Sequence, residues 1–210
     1  MLDAFEKAKL KNKYQSEQVY VVPSMSLKDV ADKFQPGVAK TNFRNGKFVF
    51  RYDAEYNNAL QQIIPYILVL NHDKTKVYVT KRIAGEERLK DSLALGCGGH
   101  INPCDAAGDI IIAAAYREMN EELTIQKDDD SEFKTVGTVR DLASATNEHL
   151  GIVLTIVVED ASVKETENLE GIWMTKEELY INYEKFESWA RHIIDYLFLQ
   201  KSDRFFEGSK

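Results

Sequence analysis

Three glutamates stand close together in the run Arg117-Glu118-Met119-Asn120-Glu121-Glu122. On a helix Glu118, Glu121 and Glu122 occupy positions i, i+3 and i+4, so their carboxylates share one face. Like charges at that spacing destabilise an isolated helix by roughly 0.2–0.5 kcal/mol per pair. A hard divalent cation held by oxygen ligands would offset the repulsion directly. A solvated acidic face is the blander alternative and the commoner one for a glutamate cluster taken alone. The flanks favour the cation. Gly98-Gly99 precedes the cluster, and paired glycines let a backbone approach a ligand or metal closely.

These residues need elements to position them. The spacing of Ile111, Ala114, Ala115 and Met119 predicts a helix over about 107–123. Leu93 to Cys97 reads as a strand that delivers Gly98-Gly99. Upstream, Tyr66 to Leu70 and Val77 to Arg82 read as strands joined by a turn at His72-Asp73-Lys74, and Gly85 to Asp91 as a charged loop. Downstream, Phe133 to Leu142 and Leu150 to Glu159 read as strands, the second expected to be central because it is rich in Val and Ile. Trp173 ends a last short strand. Glu184 to Leu199 reads as an amphipathic helix with Phe186, Trp189, Ile193, Ile194 and Leu197 on its apolar side.

Residues 1–60 read as a small α+β extension and 61–210 as the main domain. In the extension, Val19 to Val22 forms a strand ending at Pro23. Ser26 is expected to cap a helix that Gln35-Pro36-Gly37 breaks, and Asn45-Gly46 to turn a hairpin. Strands, helix, strands, helix is not a strict βαβ alternation. The expected class is α+β, a mixed β-sheet sandwich flanked by helices.

The net charge of −7 and pI of about 5.2 argue against non-specific binding to nucleic acid or a membrane surface. They do not argue against a phosphorylated substrate, since a bound divalent cation reverses the local field. The apolar stretch Ile63 to Leu70 is too short to span a bilayer. Met1 to Lys13 has no apolar run of the signal-peptide kind. Cys97 and Cys104 make no disulfide framework, and a reduced, cytoplasmic setting fits them best. With His100 they offer three zinc-type ligands and no clear fourth. Cys97 is expected instead to pack in the core, as are Trp173 and Trp189.

The order strand, Gly-Gly, loop, acidic helix resembles the Nudix box. That family's pattern is Gly, five residues, Glu, seven residues, then Arg-Glu-(apolar)-x-Glu-Glu-x-Gly-(apolar). Here its second half reads Arg117-Glu118-Met119-Asn120-Glu121-Glu122-Leu123-Thr124-Ile125, with Thr124 in place of the glycine. Counting back from Arg117 puts Asp109 at the first Glu position. Nine residues then separate it from Gly99, a four-residue insertion. The segments Gln62-Ile63-Ile64-Pro65-Tyr66, Gly98-Gly99-His100-Ile101-Asn102-Pro103 and His149-Leu150-Gly151-Ile152-Val153 are similar to a bacterial, phosphoesterase-like branch of the family.

The resemblance implies a Nudix fold and hydrolysis of a phosphoanhydride bond in a nucleoside diphosphate linked to another group, with Mg²⁺ or Mn²⁺. By position, Glu118, Glu121 and Glu122 would bind metal, with the Gly98 carbonyl as a further ligand. Arg117 would orient a carboxylate, Asp109 being the partner expected from the count. A box glutamate or Glu148, in the loop before a strand, would serve as general base. Arg82, His100 and His149 are candidates for substrate contact, against surface or strand-edge roles. The expected partner is a small nucleotide-type diphosphate, and a homodimer is a family-level expectation. Two alternatives stand beside this reading: a non-catalytic Nudix-fold nucleotide-binding or regulatory domain, and an enzyme like isopentenyl diphosphate isomerase. Retention of the three box glutamates weighs against both.

Overall fold

A computed structural model describes residues 4–37, 43, 45–83, 92–128, 131–144, 147–164, 166–167 and 169–199. Along the chain run α1 (Ala4–Tyr14), β1 (Gln18–Pro23), β2 (Lys33–Pro36), β3 (Lys47–Phe50), α2 (Arg51–Ala54), β4 (Leu60–Asn71), β5 (Lys76–Arg82), β6 (Leu93–Leu95) and β7 (Cys97–Gly98). Then follow α3 (Ile110–Glu122), β8 (Leu123–Lys127), β9 (Lys134–Arg140), β10 (His149–Val163), β11 (Leu169–Thr175), α4 (Lys176–Ile181) and α5 (Ser188–Leu199).

The strands form one mixed sheet with the order β11-β5-β4-β10-β9-β2. At its centre β4 and β10 run parallel, from His149 opposite Gln62 to Val158 opposite Asn71. The other strand pairings are antiparallel. Parallel strands covered on both faces read as continuous apolar runs, and Gln61 to Leu70 is buried without a break. The two faces alternate along β4. Ile63, Ile67 and Val69 pack with Ala114, Ala115 and Met119 of α3. Tyr66, Leu68 and Leu70 pack with Ala190, Ile193, Ile194 and Leu197 of α5. The architecture is therefore α+β, with helices on both faces of a mixed sheet.

The N-terminal strands belong to the same sheet. β1 pairs with both β3 and β4, and β2 pairs with β9. Three local expectations change here. Ser26 starts no α-helix; Ser24–Leu27 is a single 3-10 turn, in which the Ser26 hydroxyl donates back to the Pro23 carbonyl. Gln35 and Pro36 break nothing, since they lie in β2 at the sheet edge, where a proline is tolerated. β3, after Asn45-Gly46, takes β1 as its partner strand; residues 38–42 and 44 lie outside the described residues. So does the expected loop Gly85 to Asp91. The closing helix starts at Ser188, because 183–185 forms a separate 3-10 turn. Trp189 and Trp173 are packing residues, edge-on to Tyr66 at 5.8 Å and to Tyr78 at 5.0 Å. No helix among the described residues is long and apolar enough to cross a membrane.

Candidate active site

The helix that carries the glutamates starts later than the periodicity suggested. Asp109 is its N-cap, its Oδ1 accepting from the backbone N–H groups of Ile111 at 3.1 Å and Ile112 at 3.4 Å. That satisfies two of the amides a helix start leaves without an intrahelical partner. Ala114, Ala115 and Met119 are fully buried against the sheet, which fixes the helix rotation and turns Glu118 toward β7 and Gly99.

β7 arrives beside that face through a tight approach. A Cβ on Gly98 would lie 2.5 Å from the Pro65 carbonyl, and one on Gly99 would lie 2.3 Å from the Glu118 carboxylate. Only glycine fits at 98, where the obstacle is backbone; at 99 a side chain would have to displace the Glu118 carboxylate. The Glu118 carboxylate thus sits against the Gly98-Gly99 backbone, with 12% of the side chain exposed. Burial raises the Glu118 carboxyl from its ordinary range, although the Arg117 hydrogen bond opposes the shift. Cys97 is buried as expected, and burial pushes its thiol well up, helped by the charges of Glu122 and Glu118. Glu118 thus lies against the glycine strand, and Glu122 is near enough for its charge to act on Cys97. Glu121, 58% exposed, faces solvent.

Arg117 ties the ensemble together. Its Nη1 donates to Glu118 Oε1 at 2.7 Å and to Glu121 Oε2 at 3.3 Å. Its Nη2 donates to the His100 carbonyl at 2.7 Å. The rest of its fork grips Asp105, Nε to Oδ1 at 2.9 Å and Nη2 to Oδ2 at 2.8 Å. This bidentate geometry is the strong form of the pair. The Asp105 hydrogen bond leads in raising the arginine's pKa. Burial works to raise the Asp105 carboxyl, but Arg117 and the Asn102 amide together hold it below its ordinary value.

Asp105, not Asp109, is thus the partner of Arg117. Sequence reasoning missed it by counting from the wrong end. Five residues separate Gly99 from Asp105, as the family pattern asks of its first acidic position. The four extra residues fall after it, between Asp105 and Arg117. A 3-10 turn over Pro103–Asp105, capped by Asn102, folds the carboxylate inward to 4% exposure.

The remaining candidates are spread more widely. His100 donates through Nε2 to Gln62 Oε1 at 2.8 Å and lies edge-on to His149 at 5.4 Å. Burial first, then the charges of Arg51, His149 and Arg117, push His100 well down, so it is neutral near pH 7. Glu148 is 1% exposed, not an open loop carboxylate. Its Oε1 accepts from the Tyr56 amide at 3.5 Å and its carbonyl from the Gln62 amide at 2.7 Å. These bonds join it to the N-terminal segment and to β4; the bonds of Arg117 do not include it. Arg82 is exposed at the end of β5, its N–H donating to the Ser92 carbonyl, and it is no part of the Arg117 ensemble. Gln62 is fully buried, and its Nε2 has no hydrogen-bond partner.

A cluster of three glutamates, a shared arginine and a glycine strand on one mixed sheet defines the class. The NUDIX domain family model matches residues 62–197, and the chain belongs to that family. Protein YmaB of Bacillus subtilis (strain 168) is 31% identical over 156 residues, covering 70% of this chain and 76% of that protein. Tm1382, a candidate Nudix hydrolase, superposes with a TM-score of 0.74 at 26% identity, over 88% of this chain and all of the other. The NUDIX domain of Shewanella oneidensis NrtR, crystallised with ADP ribose, superposes at a TM-score of 0.50 and 13% identity, over 68% of this chain and 89% of that one. The last likeness concerns the fold alone.

Proposed function

We propose that the protein is a divalent-metal-dependent hydrolase that cleaves the phosphoanhydride bond of a nucleoside diphosphate linked to another group. One observation carries the reading. Glu118 is held half-buried against Gly99 by an arginine that also binds Glu121 and Asp105. The donor set is all oxygen and carries several negative charges, which fits Mg²⁺ or Mn²⁺. Glu118, Glu121, Glu122 and the Gly98 carbonyl would hold the ion. When bound it supplies charge neutralisation for the diphosphate and lowers the pKa of a coordinated water.

The chain's own part is orientation and proton handling. Arg117 and Asp105 fix the Glu118 rotamer. Glu121, open to solvent and anchored at one oxygen, takes the proton from the attacking water. The water oxygen bonds to phosphorus as the bridging P–O bond breaks, and the leaving phosphate keeps that electron pair. The burial of Glu148 argues for Glu121 over it as base. His100, His149 and Arg82 are assigned to substrate contact, and the active unit to a cytoplasmic homodimer.

The test is a hydrolysis screen over nucleoside diphosphate sugars, dinucleotide polyphosphates, ADP-ribose and NADH with Mg²⁺ and Mn²⁺. Turnover that is lost in Glu121→Gln and kept in Glu148→Gln supports the assignment. Wild type and Glu121→Gln equally inert on every compound would sink it, and isomerase activity on isopentenyl diphosphate would replace it.

A further inference from the structure

Away from the box, three side chains of metal-ligating type meet where β4 ends. His72 Nδ1 donates to Asp128 Oδ2 and lies 3.5 Å from Glu159 Oε1. One histidine nitrogen and two carboxylate oxygens here all lie within 4.8 Å of one another.

The register of the sheet brings them together. The parallel pairing of β4 with β10 ends with Asn71 opposite Val158. The antiparallel pairing of β8 with β10 sets Lys127 opposite the same Val158. His72, Asp128 and Glu159 are each the next residue along their chains. At Glu159 the β10 register jumps from Val158 to Asp160, a bulge, and a bulge takes a residue out of the ladder and re-aims its side chain. The other two ligands are held by their own backbones. The Asp128 amide donates to Ser131 Oγ at 2.8 Å, and that hydroxyl donates to the Val157 carbonyl at 2.7 Å. His72 sits in a turn closed by the Lys74 amide on the Asn71 carbonyl and the Lys76 amide on Asn71 Oδ1, at 2.9 and 2.8 Å.

A simple ion pair needs one carboxylate for one imidazole. Here two carboxylates converge on a single Nδ1, so the cluster stays negative even when His72 is protonated. The ligand types are those of Zn²⁺, which binds histidine nitrogen and carboxylate oxygen at about 2.0–2.2 Å. Tetrahedral bonds of that length set ligand atoms roughly 3.3 Å apart. His72 and Glu159 already stand near that spacing, and Asp128 reaches it by withdrawing less than about 1 Å.

We propose that His72, Asp128 and Glu159 form a second cation site, for Zn²⁺ or a transition ion of similar ligand preference. The imidazole favours such an ion over Mg²⁺ or Ca²⁺, which take oxygen ligands. On binding, the Nδ1 proton leaves to solvent, the freed lone pair goes to the metal, and water completes the coordination. The site is separate from the box: Asp128 lies six residues past Glu122 along β8, roughly 20 Å at about 3.3 Å per residue. An ion here fastens the end of β8, the strand that leads out of the glutamate helix, to the turn between β4 and β5.

The experiment is a Zn²⁺ titration of the full chain in saturating Mg²⁺, followed by calorimetry and by the histidine ring signals in ¹H–¹⁵N NMR, with His72 assigned from His72→Asn. The His72 ring signals are expected to shift with Zn²⁺ and to stay in place with Mg²⁺ alone. Zn²⁺ affinity is expected to fall at least tenfold in His72→Asn and in Glu159→Gln, since loss of even an outer-shell partner costs 10–100-fold. Both positions are exposed, and an otherwise unchanged amide spectrum reports an intact fold. In Glu118→Gln the affinity is expected to stay within twofold. If the His72 signals do not respond to Zn²⁺, or His72→Asn and Glu159→Gln bind it as wild type does, the site is overturned. A loss in Glu118→Gln equal to that in His72→Asn would place the ion in the box and overturn it as well.

Discussion

Gly99 has no room for a side chain because the Glu118 carboxylate fills the place its Cβ would take, 2.3 Å away. The obstacle is the mobile end of a side chain, not backbone, so the backbone tolerates a methyl group only by expelling the carboxylate. Gly99→Ala is expected to cost about 1 kcal/mol of stability, near the centre of point-mutant effects. Its affinity for Mn²⁺, read by titration, is expected to fall at least tenfold. A Gly99→Ala protein with wild-type metal affinity would show that Glu118 is not a ligand from this position.

The two aspartates of the box loop are expected to part company in thermal denaturation. Asp105 is a buried partner of Arg117, and removing one member of such a pair costs about 3–5 kcal/mol. Asp109 is an exposed N-cap, and its loss costs about 1 kcal/mol. Asp105→Ala should therefore lower the midpoint by several times as much as Asp109→Ala. Equal drops, or the reverse order, would contradict the pairing.

Metal should stabilise the protein in a pH-dependent way. Because burial raises Glu118, its contribution to the metal-free fold is present below the ordinary carboxylate pKa and lost as pH rises through the raised value. At neutral pH the charged form is a cost that a cation offsets. Saturating Mg²⁺ or Mn²⁺ at 100 times its Kd adds about 2.7 kcal/mol, a midpoint rise of about 5–10 °C for a chain of this size. The rise should shrink on acidification toward pH 5. In Glu118→Gln the metal-free midpoint should not fall, and the metal-induced rise should vanish.

A surface cluster gives an independent check on electrostatics away from the site. His72, in the turn after β4, contacts Asp128 through Nδ1 and lies 3.5 Å from Glu159. The Asp128 hydrogen bond and charge, then Glu159, raise its pKa above 6.5. Its stabilising contribution is complete below the ordinary histidine pKa and disappears as pH rises through the raised value. The His72 ring-proton titration in NMR should show a midpoint above 6.5 that drops in Asp128→Asn. An unchanged midpoint in that variant would refute the contact.

The central strands and the helix were legible because their signals are local and redundant. β4 and β10 are long apolar runs, and Ala114, Ala115 and Met119 repeat at helical spacing in α3. The same helical geometry sets Glu118 against the glycine strand and leaves Glu121 open to solvent. The Arg117 partner was not legible from the helix end of the pattern. An insertion moves the register without marking where it lies, and Asp109 was drawn into a capping role that any aspartate before a helix can fill. The count forward from Gly99 held the missing information. The role of the first sixty residues was hidden for another reason. Short strands such as Lys33–Pro36 find partners a hundred residues away, and nothing in their own composition names the partner. Burial of Glu148 likewise depends on Tyr56 and Gln62, which only the assembled sheet brings near.

The parallel pairing of β4 with β10 also governs how the chain can be made. These ten paired residues are separated by roughly ninety positions. At about 5–20 residues per second the ribosome needs roughly 5–18 s to bridge that gap. Throughout that interval a strand with the apolar run Ile63 to Leu70 waits for its central neighbour. Topologies of this kind fold slowly and expose sticky intermediates. Yield of soluble protein should therefore improve on cooling or chaperone supply during expression.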